Sequence, residues 1–138
     1  METDLLNTLV TEAIWRAEEL EALGIRPASS AWKDVSRIEE QLAKAFPVSE
    51  AQGRIARRGA VDAALKSGDY ERAQALADAY IAEEAAPMSL KTALREILEE
   101  ADREISSRFQ HAAEHHTPRE ARDLARRFRE AGAFGLAA

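Results

Sequence analysis

Apolar residues recur every three or four positions along almost the whole chain. In the first segment they fall at Leu6, Leu9, Val10, Ala13, Ile14, Ala17 and Leu20, which predicts an amphipathic helix over residues 4–23 with Asp4 placed to cap it. Gly24 supplies a stop, Pro27 and Ser29-Ser30 a loop and a new start. Trp32, Val35, Ile38, Leu42 and Phe46 then continue a second helix with one apolar face. Pro47 interrupts it. Ser49 and Gln52 have the spacing of a capping box, in which each side chain satisfies a backbone amide at the helix start, and the third helix runs on through Ile55, Val61 and Leu65.

Gly53 and Gly59 lie inside that third helix, where each costs about 1 kcal/mol relative to alanine. They predict a neighbouring helix in close approach. Gly68-Asp69 ends the third helix and caps a fourth, whose apolar face is Tyr70, Ala73, Leu76, Ala77, Tyr80 and Ile81. After Pro87 and Ser89 comes the longest helix, with Leu90, Leu94, Ile97, Leu98, Ala101, Ile105, Phe109 and Ala112 on one side and the charged EEADRE segment on the other. Thr117-Pro118-Arg119-Glu120 places an N-cap, a proline at the first helical position and a glutamate at the third. A sixth helix follows through Ala121, Leu124, Ala125 and Phe128 to Gly132. Residues 132–138, AGAFGLAA without its first alanine, are an uncharged tail that either packs back or stays flexible.

The segment ALKSGDYERAQALADAYI, residues 64–81, resembles the turn between the two helices of a tetratricopeptide repeat: a small residue, Gly-Asp-Tyr, then an alanine three residues after the tyrosine. Pro87 lies near where such repeats place their terminal proline. The resemblance covers residues 54–86, and the bulky aromatic and Leu-Gly pair of the first repeat helix are missing. A second copy is faint. Residues 70–80 align with 118–128 at a spacing of 48, against roughly 34 for the standard repeat. The resemblance implies a groove or concave face for peptides or partner helices. A compact bundle without a groove fits the same periodicity.

Composition narrows the function classes. With 138 residues the chain suits one domain, 1–138, and can bury a core without covalent staples. Apolar residues make up 46% but aromatics only 6%, so the core must rest on Ala, Leu, Ile and Val. The absence of cysteine removes disulfides, thiolate metal sites and cysteine nucleophiles. No membrane-length apolar run and no secretory leader pattern appear, which gives a cytoplasmic expectation. A net charge of −6 argues against nucleic acid or an anionic membrane as the main partner.

Three constellations could carry function. His111, Glu114 and His115 spell H-x-x-E-H, which on a helix puts two imidazoles on one face with a carboxylate beside them and could hold zinc. The same histidines at a helix C-terminus would also favour its dipole and free carbonyls without any metal. Arg119, Arg122, Arg126 and Arg127 make the last helix a candidate nucleic-acid contact, although Glu120 and Asp123 are interleaved with them. Trp15, Tyr70, Tyr80 and Phe134 are the candidate partner anchors, because aromatic side chains dominate interface energies.

The sequence therefore predicts an all-α protein of about six helices in antiparallel hairpins, helical-repeat-like or a compact bundle. It predicts a non-catalytic interaction or adaptor module with no cofactor, binding a protein or peptide or forming a homodimer. A nucleic-acid-associated regulator and a metal-binding helical protein are the alternatives.

Overall fold

A computed structural model describes residues 2–24 and 28–115, together with Arg119, Arg122, Asp123, Arg126 and Arg127; the side chains of Glu2 and of residues 112–115 lie outside that description. The described residues form five helices and no strand: α1 (Glu2–Ala22), α2 (Ala28–Ala45), α3 (Ala51–Lys66), α4 (Tyr70–Ile81) and α5 (Met88–His115). The expected sixth helix, with Phe134 and the rest of the tail, falls mostly outside them. Successive helices pack as hairpins: α2 lies between α1 and α3, α4 on α3, and α5 against both α3 and α4. The arrangement is compatible with a helical-repeat fold.

The α3–α4 turn forms as its sequence demands. Gly68 adopts φ 83°, a left-handed conformation that a residue with a Cβ rarely enters, and Ser67 and Gly68 donate their amides to Ala63 and Leu65 carbonyls. The Asp69 carboxylate then accepts from the Arg72 amide at 3.0 Å, capping α4. Two other expected caps differ. α1 begins at Glu2, so Asp4 sits in its first turn rather than before it. α3 is preceded by Glu50 with no side-chain cap: the Glu50 amide bonds the Pro47 carbonyl, and Arg54 reaches back to the Val48 and Ser49 carbonyls, so a backbone turn replaces the Ser49–Gln52 box.

Alanine lets the helices come together. Ala56, Ala60, Ala63 and Ala64 of α3 and Ala73 and Ala77 of α4 are buried, joined by Leu94 and Leu98 of α5 and Val35 and Leu42 of α2. The two glycines of α3 serve the same end. A Cβ on Gly53 would run into the Pro47 carbonyl oxygen, whereas one on Gly59 would meet only the tip of Glu39, at 2.8 Å. Gly53→Ala is expected to lower the stability measured by urea unfolding by about 1–3 kcal/mol, since backbone must move. Gly59→Ala should stay within about 1 kcal/mol of the parent, helix propensity offsetting the displacement of a flexible side chain.

α2 buries the one face expected of it, but polar residues lie within that face: Ser36 and Glu39 are buried with Trp32, Val35, Leu42 and Ala43, while Ile38 and Phe46 are half-buried. Ser36 and two arginines find partners along the seam with α3 and α4, whereas the buried Tyr80 hydroxyl there has none among the described residues. Ser36 Oγ donates to the Ala60 carbonyl at 2.8 Å and accepts from Arg72 Nε at 3.1 Å, and Arg72 Nη2 bonds Glu40 at 2.7 Å. Arg57, only 5% exposed, donates to both Glu83 carboxylate oxygens and to the Phe46 and Gly53 carbonyls. Glu83 is thereby the counter-ion of a buried arginine.

Candidate functional groove

The length of α5 creates the main surface feature. At 28 residues it runs about 42 Å, more than twice the 12-residue α4 beside it. Its apolar stripe begins under the bundle, where Leu90, Leu94 and Leu98 are buried. The same stripe continues past that cover: Ile97, Ala101, Ile105 and Phe109 are half-buried. A groove of about 670 Å³ opens there between α5, the end of α1 and the C-terminal turn of α3. Leu65, Tyr70, Ile97, Ala101 and Ile105 give it an apolar floor.

Its rim is charged, with more acid than base. Glu21, Asp62, Glu100 and Glu104 line it against Lys66 and Arg108. Several of these are engaged locally: Lys66 pairs with Asp62 at 3.2 Å, Arg108 with Glu104 at 2.6 Å, and Glu21 accepts from the Trp32 indole at 2.7 Å. Lys66 also lies 4.4 Å from the Trp32 ring centre, a cation–π contact that holds the mouth of a smaller cleft shared with Glu18 and Glu21. Glu100 makes no ion pair among the described residues.

Tyr70 lies at the groove wall. It is 4% exposed, and its hydroxyl has no hydrogen-bond partner among the described residues. Burial, with the Asp102 charge adding to it, pushes that phenol up to about 12, so it remains a hydrogen-bond donor at any physiological pH. Tyr80, also buried, packs under the Arg57 guanidinium at 5.5 Å in the α2–α3–α4 seam and is pushed up to about 12, chiefly by burial and then by Glu40. Its place is the core, away from the groove-lining residues. Trp15 stands 66% exposed on the side of α1 away from Val10 and Ala17. Phe134 lies outside the described residues.

The other candidates lie on the second half of α5 and after it. Arg119, Arg122, Arg126 and Arg127 are exposed, and Arg126 pairs with Asp123 at 3.4 Å. His111 is exposed on α5, the side chains of Glu114 and His115 lie outside the description, and no three His, Asp or Glu side chains among the described residues come together to hold a metal. Among the described residues no helix is long and apolar enough to cross a membrane.

Fold and groove together define a class, an all-α bundle of helical hairpins with an apolar, acid-rimmed groove along its longest helix. Comparison with family models, with characterised proteins and with solved structures gives no match. The groove residues were visible in the sequence only as a helix face. The signal that would have marked them is the mismatch in length between α5 and α4, which leaves the second half of the stripe running past α4 among the described residues.

Proposed function

We propose that this chain is a non-catalytic interaction module whose groove between α5 and the ends of α1 and α3 holds an amphipathic helix with basic flanks. The observation that carries the reading is the continuation of the α5 stripe through Ile97, Ala101 and Ile105 beyond the buried Leu98, beside a buried tyrosine hydroxyl without a partner. A partner helix laying leucine-like side chains at i, i+3, i+4 and i+7 into that floor would extend the core by one element. The rim supplies the sign of the partner's flanks, because four acids face two bases there.

The test is fluorescence anisotropy with two labelled sixteen-residue synthetic helices sharing one leucine stripe, one flanked by arginines and the other by glutamates. The basic peptide should bind the full chain and the acidic one should bind at least tenfold more weakly. Glu100→Lys with Glu104→Lys, both exposed positions that leave the fold alone, should weaken the basic peptide roughly tenfold. Equal affinity for both peptides, or no response to the two substitutions, sinks the reading.

A further inference from the structure

We infer that α1 is the seat of a symmetric dimer: a second copy of this chain lays its own α1 antiparallel along the outer edge of this one, about a two-fold axis level with Ile14. The exposed apolar surface of the protein is concentrated there. Of the six large apolar side chains that stand exposed among the described residues, Leu5, Leu9, Trp15 and Leu23 belong to α1 or follow it directly. The Leu23 amide still bonds the Glu19 carbonyl, so the helical line runs on to it. α1 packs on α2, and Val10 and Ala17 are the residues it buries. Leu5, Leu9, Glu12, Arg16, Glu19 and Leu23 lie on a different side, alternately four and three residues apart, which is the spacing of a seam that a second helix can follow. All six are exposed.

The seam is complementary to itself in one arrangement. An antiparallel pair centred on Ile14 sets Leu5 opposite the partner's Leu23 and Glu12 opposite the partner's Arg16, and the two-fold axis makes each contact twice. Leu9 comes opposite the partner's Glu19, whose methylene stem can cover the leucine while its carboxylate reaches water. Trp15, one residue from the axis and at the flank of the seam, meets its own copy. Charge selects this register. Glu12 and Arg16 make no ion pair among the described residues, not even with each other across one turn. A parallel pair would set Glu12, Arg16 and Glu19 each against its like, and sliding the antiparallel pair by one turn brings either Glu12 against Glu12 or Arg16 against Arg16. Glu18 and Glu21, which line the cleft and the groove, sit roughly half a turn round α1 from Leu5 and Leu23. The seam therefore shares no residue with the groove and does not depend on what the groove holds.

Sedimentation equilibrium of the full chain at about 100 μM should give twice the chain mass. Glu12→Arg sets arginine against arginine across the axis, and Arg16→Glu sets acid against acid. Both positions are exposed, so the fold tolerates either change, and each variant alone should dimerise at least roughly tenfold more weakly than the parent. Mixed in equal amounts, the two variants should pair with each other to within about threefold of the parent affinity, because every acid of the seam centre then faces a base. A damaged fold cannot produce that rescue. A parent chain that stays monomeric at this concentration overturns the inference. Dimerisation that neither substitution weakens overturns it too, since the contact then lies away from α1. Two weakened variants that stay apart on mixing overturn the pairing of Glu12 with the partner's Arg16.

Discussion

Glu39→Gln is expected to raise the thermal midpoint at pH 8 by about 10 °C and to leave it almost unchanged at pH 5. Glu39 is 8% exposed on α2, its carboxyl packed against Gly59 of α3, with no hydrogen bond or ion pair among the described residues. Burial pushes its pKa up to about 7 from an ordinary 4.5. The folded protein therefore keeps a proton that the unfolded chain has already released across that interval. Stability from this group is fully present below pH 4.5, declines as pH rises toward about 7, and is flat above. The whole span is on the order of 3 kcal/mol. Glutamine has the shape and neutrality of the protonated acid, so it removes the decline. Thermal unfolding of parent and variant from pH 4.5 to 8 checks this: the difference between them should grow through the interval, and parallel curves would show that Glu39 is ionised in the fold at no cost.

Such a residue marks where sequence reading stops. Local signals were legible because their physics is local: Gly68 with its positive φ and Asp69 capping Arg72 follow from backbone geometry within a few residues. Five of the helices followed from periodicity, with ends shifted by a residue or more. The Ser49–Gln52 cap failed because α3 starts one residue later than the box requires: Glu50 takes the N-cap position, and its amide bonds the Pro47 carbonyl. The full breadth of the buried face of α2 was hidden because part of it is built from Ser36 and Glu39, polar residues whose burial depends on α3 arriving from elsewhere in the chain. Of the aromatic anchors, Trp15 is exposed while Tyr70 and Tyr80 are buried. Side-chain size gave no means to separate them. The groove needed one comparison that periodicity alone does not make, the length of α5 against its neighbours.

Arg57→Ala is expected to be the most damaging single change on the α2–α3–α4 side, costing about 3 kcal/mol. In sequence, Arg57 is one of three arginines on α3, and only the fold separates it from the exposed Arg58. Its guanidinium ties three parts of the chain together: the Phe46 carbonyl at the end of α2, the Gly53 carbonyl in its own helix, and Glu83 after α4 at 2.7 and 2.8 Å. Truncation leaves two acceptors and a carboxylate without their donor, and removes the stem that packs over Tyr80. The loss stays near the lower end of values for broken buried pairs, because the Glu83 side chain keeps 33% of its surface exposed and water can partly replace the arginine. Arg57→Met separates packing from charge: it refills the volume, so its remaining loss reports the unpaired Glu83. Adding Glu83→Gln to that variant should then recover about 1–2 kcal/mol in urea unfolding. No recovery would mean that the two carbonyls, not the ion pair, are what Arg57 holds. Because α3 and α4 also present Leu65 and Tyr70 to the groove, basic-peptide binding by these variants should follow the folded fraction and return to the parent affinity once each is extrapolated to the fully folded chain.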